Sequence, residues 1–356
     1  MRSRTSQDVT QHRLSGLGAP IIPFRTGQLL HNITIPYDVP GAHRAKLLSG
    51  YANLLSMNVA DCVIANELMP DPAYESAWSS IIVEPSLKDR LLHATLLALQ
   101  LRPKLPPEVT ALHGLVLLHG PPGTGKTTLA RGLAHELAPL TDSKQARLIE
   151  INPHGLMSAE HGQSQQKVFE LLSDHVPSLA ADGLPTIVLL DEVESMAVSR
   201  SAASLQANPA DVHRATDAVL TALDSVAREH PSIITVATSN FTDALDEAFK
   251  SRSDVAIEIP LPDADGIKAI LGRTLLDFGQ AYPGIAKLAG DSRLDEAACS
   301  LIGVDGRRVR KVVTEALGRR RESILDPNTL TIEDLTETSR EFGAMELQME
   351  ASDAAL

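Results

Sequence analysis

Gly120-Pro121-Pro122-Gly123-Thr124-Gly125-Lys126-Thr127 fits the pattern G-x-x-x-x-G-K-[ST], between the short apolar run Gly114–His119 and a helical pattern from Thr127 to Leu137. Strand, glycine-rich loop and helix, in that order, are the context the pattern requires. Small glycines let backbone N–H groups close around phosphates at a helix N-terminus. Lys126 brings an ammonium to the β- and γ-oxygens, and Thr127 offers a hydroxyl to Mg²⁺. The candidate nucleotide-binding residues are Gly120, Pro121, Pro122, Gly123, Thr124, Gly125, Lys126, Thr127 and Thr128. The cofactors expected are ATP and Mg²⁺.

Downstream of the loop, apolar runs alternate with helical patterns. Strands are expected at Ala146–Ile151, Thr186–Asp191, Ser232–Ser239 and Asp254–Ile259, with helices near Gln163–His175 and Pro209–Ala227. Together with Gly114–His119 they predict an α/β fold, a doubly wound parallel sheet of five strands. Leucines at helical spacing between Leu87 and Leu101 place a helix before this core. After Pro260 and Pro262 the pattern is wholly helical, roughly 264–279, 294–302, 305–323 and 331–349, which predicts a separate helical lid. The polar residues 1–22 read as a loose tail. The expected divisions are an N-terminal module (1–75), an α/β subdomain (76–262), a lid (263–345) and an acidic tail (346–356).

Two acids end the apolar strand Thr186-Ile-Val-Leu-Leu-Asp191-Glu192, where burying them without a purpose would be costly. Asp191 is suited to the Mg²⁺ shell. Glu192 is suited to accepting a proton from the water that attacks the γ-phosphate, or to orienting it. Asn240 ends the strand Ile233-Ile-Thr-Val-Ala-Thr-Ser-Asn240, where its amide can polarise the same water; the other reading is a polar turn residue. Arg252 follows the helical stretch Asp243–Phe249. It is suited to serve in trans as the arginine that stabilises charge on the transferred phosphoryl group, against the alternative of a solvated surface arginine. Gly306-Arg307 opens a basic helix, and Arg307 either reaches the phosphates from the lid or belongs to a charged helix face.

The formal net charge of −13 over 356 residues removes the broad electrostatic drive for duplex nucleic acid, so a protein partner is expected first. The runs Arg307–Lys311 and Arg319–Arg321 leave a nucleic-acid-directed loader as the alternative. No apolar run approaches the roughly 20 residues needed to span a bilayer, and the opening MRSRTSQDVTQHRL lacks the apolar core of a secretory signal. A cytoplasmic location without membrane contact is the expectation. Cys62 and Cys299 are too few for a disulfide framework or a four-cysteine metal site, and both read as buried apolar fillers.

The loop GPPGTGKTT, the strand IVLLDEVES, TSN with the downstream DEAFKSRSD, and GRRVRK together resemble the AAA+ ATPases, P-loop NTPases with a helical lid. LIEINPHGLMS, IVLLDEVESMAVSR and HRATDAVLTALDSV are similar to the pachytene-checkpoint branch, over roughly 76–343. That resemblance implies a hexameric ring that hydrolyses ATP to pull on a HORMA-domain protein, converting it from closed to open. The resemblance allows two settings, anti-phage second-messenger signalling in bacteria or meiosis and the spindle checkpoint in eukaryotes, and the compact chain with its diverged N-terminus favours the bacterial one. Remodelling of a different protein stands as a further alternative. One segment departs from the family pattern. Where the branch carries an aromatic in its central-pore loop, this chain has Ser158-Ala159-Glu160-His161-Gly162. Either His161 substitutes for the aromatic ring or it is a solvent-exposed loop residue. Ser201–Asp211 fits a second pore loop and equally a surface linker.

Overall fold

The computed structural model describes residues 59–152, 163–197 and 209–353. The pore-loop segment 158–162 and most of 201–211 lie outside the described residues, as do positions 1–58.

In chain order the elements are β1 (Val63–Met69), α1 (Glu75–Ser79), α2 (Pro85–Leu101), β2 (Leu115–His119), α3 (Lys126–Leu137) and β3 (Ala146–Ile151). There follow α4 (Gln163–Glu170), β4 (Thr186–Leu190), α5 (Pro209–Glu229), β5 (Ile233–Ser239), α6 (Glu247–Ser251) and β6 (Val255–Glu258). The lid comprises α7 (Ala264–Gly279), α8 (Leu294–Cys299), α9 (Gly306–Leu317), α10 (Arg321–Leu325) and α11 (Ile332–Asp353).

Among the described residues the strand order is β1-β3-β4-β5-β2-β6, six strands rather than five. β3, β4, β5, β2 and β6 are mutually parallel, as expected. The sixth, β1, pairs antiparallel with β3 and comes from the segment assigned by sequence to the N-terminal module. Its residues alternate between half-buried and exposed until Met69. An edge strand with one solvated face has no continuous apolar run to announce it.

The inner parallel strands β3, β4, β5 and β2 are buried on both faces, and period-two alternation divides them between two cores. Leu115, Leu117, Val188 and Leu190 face α4, α5 and Phe249 of α6. Val116, Leu118, Ile187 and Leu189 face α2 and the apolar side of α3, formed by Leu129, Leu133 and Leu137. A third core, around Ile267, Leu271, Leu301, Val309 and Val313, holds the lid. Glu150 is buried within β3 and forms a two-point ion pair with Arg131 of α3, at 2.8 and 2.5 Å, which satisfies the carboxylate. Cys62 is buried as expected, whereas Cys299 is exposed at the end of α8. It lies one residue beyond the buried pair Ala297 and Ala298, on the outer face of that helix.

Candidate nucleotide site

β2 is flanked by β5 and β6, so the loop after it leaves the sheet at the point where the strand order reverses, the usual ligand-binding crevice of an open α/β sheet. Gly120, Gly123 and Gly125 all have positive φ, at 138°, 77° and 94°. A side chain at Gly123 would strike Asp305, with a Cβ 2.0 Å from its Oδ1. One at Gly125 would meet Ile81 Cδ1 at 2.4 Å. Glycine here serves both backbone conformation and close approach.

Lys126 is the first residue of α3, and its buried ammonium donates to the carbonyls of Gly120 (2.8 Å) and Pro121 (2.7 Å). The Thr124 hydroxyl also donates to the Pro121 carbonyl, at 3.0 Å. Pro122 is exposed on the outside of the loop. Burial pushes the Lys126 ammonium below the usual lysine range, and the carboxylates of Glu194, Asp191 and Glu192 act against that shift.

Register brings the acids to the same place. β4 and β5 pair Leu190 with Ala237, which leaves Asp191 beside Thr238 at the strand ends. Thr127 donates its hydroxyl to Asp191 Oδ1 at 2.7 Å, and Thr238 donates to the same oxygen at 2.5 Å. The Glu192 N–H donates to Thr238 Oγ1 at 3.0 Å. Glu192 has φ 51°, a left-handed conformation that is uncommon for a non-glycine residue and is found at active sites more often than elsewhere. The Asn240 amide approaches Glu192 Oε1 at 3.4 Å, and its backbone N–H donates to Glu194 Oε1 at 3.0 Å. Asn240 and Glu192 are thus neighbours across two strand ends.

The lid closes over the loop from the other side. Asp305 caps α9, accepting from the N–H groups of Arg307 and Arg308, and the Arg307 N–H donates to the Gly123 carbonyl at 3.2 Å. Between lid and loop lies a cavity of about 570 Å³. Ile81, Ile82, Pro260, Ile270 and Phe278 supply its apolar walls, while Gly123, Thr124, Gly125, Thr128, Arg307 and Arg310 line its polar side. Size and lining suit a nucleotide with a flat base and a charged tail. Arg310 also donates to the Ser80 carbonyl at 3.0 Å, tying α9 to the segment that carries Ile81 and Ile82.

The chemistry of the donors fits Mg²⁺. Thr127 and Asp191 present hard oxygen ligands side by side, and Mg²⁺ is characteristically held by one or two carboxylates plus phosphates and water. Among the described residues there is no cluster of three or more His, Cys, Asp or Glu able to hold a metal by protein ligands alone.

A profile of the family "ATPase family associated with various cellular activities (AAA)" matches residues 116–261. CD-NTase-associated protein 6 of Pseudomonas aeruginosa is 46% identical over 280 residues, 79% of this chain and 92% of that protein. The pachytene checkpoint protein 2 homolog of Arabidopsis thaliana is 37% identical over 201 residues, 55% of this chain. The chain is an AAA+ ATPase of the pachytene-checkpoint family. It aligns with only 42% of the Arabidopsis protein's length.

Fold comparison agrees. The structure of C. elegans PCH-2 matches this AAA+ ATPase with TM-score 0.62 and 23% identity, over 80% of this chain and 76% of that one. A chain of the E. coli MS115-1 HORMA:CdnC:Trip13 complex matches with TM-score 0.63 and 17% identity, over 79% and 96%.

Of the residues singled out from sequence, the structure gathers the whole loop, Lys126, Thr127, Thr128, Asp191, Glu192, Asn240 and Arg307 around one crevice of the ATPase. Arg252 is engaged elsewhere, by Asp224 and the Ala248 carbonyl. Thr238, Glu194, the Ser80–Ile82 segment and Arg310 were missed by sequence reasoning. Thr238 sits in the quoted strand, and its role follows from the register of β5 against β4, which the sequence does not display. The lid's basic runs are largely spent on internal pairs: Arg308 with Glu346, Lys311 with Glu315, Arg319 with Glu337 and Glu341, and Arg320 with Asp334. Among the described residues, no helix is long and apolar enough to cross a membrane.

Proposed function

We propose that this AAA+ ATPase hydrolyses ATP with Mg²⁺ as a ring of six subunits, and couples hydrolysis to opening a closed HORMA-domain protein in anti-phage second-messenger signalling. The observation that carries the reading is the joining of Lys126, Thr127, Asp191, Glu192 and Asn240 in one crevice, in a chain that matches nearly the full length of a CD-NTase-associated relative. A chain of this fold occurs together with HORMA and CdnC in the E. coli complex, which is the reason for naming a HORMA-domain protein as the substrate.

The residues divide the work. Lys126 exchanges the carbonyls of Gly120 and Pro121 for phosphate oxygens, and the loop's N–H groups bind the remaining phosphate charge. Thr127 and Asp191 are the residues that would hold Mg²⁺, which when bound neutralises charge on the β- and γ-phosphates. Thr238 holds the Asp191 carboxylate in one orientation. Glu192 accepts a proton from the attacking water or orients it, and Asn240 fixes the Glu192 carboxylate from the neighbouring strand. Arg307 carries the nucleotide state to the lid, because its backbone already bonds the loop at Gly123. Arg252 acts on the nucleotide of an adjoining subunit.

The test is conversion of a purified, closed HORMA-domain protein to its open form by the full chain with Mg²⁺ and ATP, followed by hydrogen exchange of the substrate. ATP-dependent opening that Glu192→Gln lacks supports the proposal. Absence of opening under conditions where ATP is hydrolysed overturns the substrate assignment.

A further inference from the structure

Arg252 does not hang free at the end of its helix. α6 is capped by Asp246, which accepts from the Ala248 N–H, and is anchored by the fully buried Phe249. From that anchored turn the guanidinium reaches back to α5. Its Nε donates to Asp224 Oδ1 and its Nη2 to Asp224 Oδ2, both at 2.8 Å, while Nη1 donates to the Ala248 carbonyl at 2.8 Å.

The direction of this contact matters. A guanidinium has two edges on which it can grip a pair of oxygens: the side edge, Nε with Nη2, and the terminal edge, Nη1 with Nη2. Asp224 takes the side edge. After these contacts one N–H on Nη1 and one on Nη2 remain undonated, and a quarter of the side chain is exposed to solvent. The pair is also electrostatically matched. The Arg252 hydrogen bond is the largest influence on the Asp224 carboxyl and holds it below the usual carboxylate range, although partial burial opposes this. An ion pair this close to the surface gains little in stability. A two-point fork with a third contact to a helix carbonyl instead fixes the rotamers of a long side chain before any phosphate arrives.

We infer that Asp224 is a positioning residue for the hydrolysis reaction: it grips Arg252 by the side edge so that the terminal edge is presented to the nucleotide of an adjoining subunit. The inference rests on the proposed trans role of Arg252. Asp224 acts only through the arginine of its own chain.

Mixed rings of full-length chains test this. One chain carries Arg252→Ala, so that its nucleotide site is intact but it donates no arginine. The other carries Glu192→Gln, which binds nucleotide without turning it over and still donates Arg252. The mixture hydrolyses ATP although neither chain does alone. Adding Asp224→Ala to the arginine-donating chain lowers the mixture's kcat about ten-fold or more, with the KM for ATP unchanged, because orientation and not binding is lost. Asp224→Asn in the same chain keeps the shape and one acceptor oxygen and gives a smaller loss, which separates lost positioning from lost folding. The same Asp224→Ala placed in the chain that already lacks Arg252 adds no comparable loss. Equal losses in both placements, or none in either, overturn the positioning role. A mixture inactive before Asp224 is altered overturns the trans role of Arg252, and the inference with it.

Discussion

The Thr127 hydroxyl lies 2.7 Å from Asp191 Oδ1, a bond between residues 64 positions apart in sequence. It joins the first turn of α3 to the end of β4, and both elements are fixed by the buried sheet. The two oxygens are therefore placed before any ligand binds, the preorganisation that catalysis by charge stabilisation demands.

Thr238 is the third member of that group, donating to the same Asp191 oxygen and accepting from the Glu192 N–H. Thr238→Val keeps the shape and removes both bonds. The expected outcome is a loss of about 10- to 100-fold in apparent Mg²⁺ affinity or turnover, as for other residues that orient a metal ligand. ATPase rate against Mg²⁺ concentration measures it, and a wild-type profile would separate Thr238 from the site.

Gly123 is where loop and lid meet. Its φ is 77°, its carbonyl accepts from the Arg307 N–H, and an added Cβ would stand 2.0 Å from Asp305 Oδ1. Gly123→Ala combines backbone strain of about 1–3 kcal/mol with a clash at the cap of α9. Nucleotide affinity is expected to fall while the sheet stays folded, as read by titration with a fluorescent nucleotide alongside thermal unfolding.

Arg310 holds the Ser80 carbonyl at 3.0 Å, next to the Ile81–Ile82 wall of the cavity. Because this hydrogen bond is solvent-accessible, Arg310→Ala is expected to weaken nucleotide binding by about 1 kcal/mol, several-fold in Kd. Arg310→Lys, which retains a donor, recovers part of it. Equilibrium binding of ATP to the three forms checks the order.

Phe249 is fully buried in the core on one face of the sheet. Phe249→Ala is expected to cost about 3–5 kcal/mol of stability and to loosen the α6 turn from which Arg252 projects. Denaturant unfolding measures the first effect and ATP hydrolysis the second.

The parallel core was legible in the sequence because strands buried on both faces read as continuous apolar runs, as in Ile187–Leu190 and Leu115–Leu118. The loop residues and the two acids were legible because phosphate and metal chemistry narrows residue choice at fixed spacing. β1 was not, since the edge strand Val63-Ile-Ala-Asn-Glu-Leu-Met69 is broken by Asn66 and Glu67 and its polar and apolar residues do not sort by face. Thr238 and Glu194 were not because their roles follow from register between β4 and β5, a long-range property. Arg252 was singled out from its sequence context, but its fork with Asp224 joins positions 28 apart, and no local pattern announces it.

The most direct measurement is steady-state ATP hydrolysis by the full chain, with and without a purified closed HORMA-domain protein, and with Glu192→Gln as control. The expected result is Mg²⁺-dependent hydrolysis that the HORMA-domain protein stimulates, and a control that binds ATP but falls by about 10²- to 10⁴-fold in rate. Robust hydrolysis that the HORMA-domain protein leaves unchanged would contradict coupling to that substrate, and normal turnover by Glu192→Gln would contradict the assignment of the site itself.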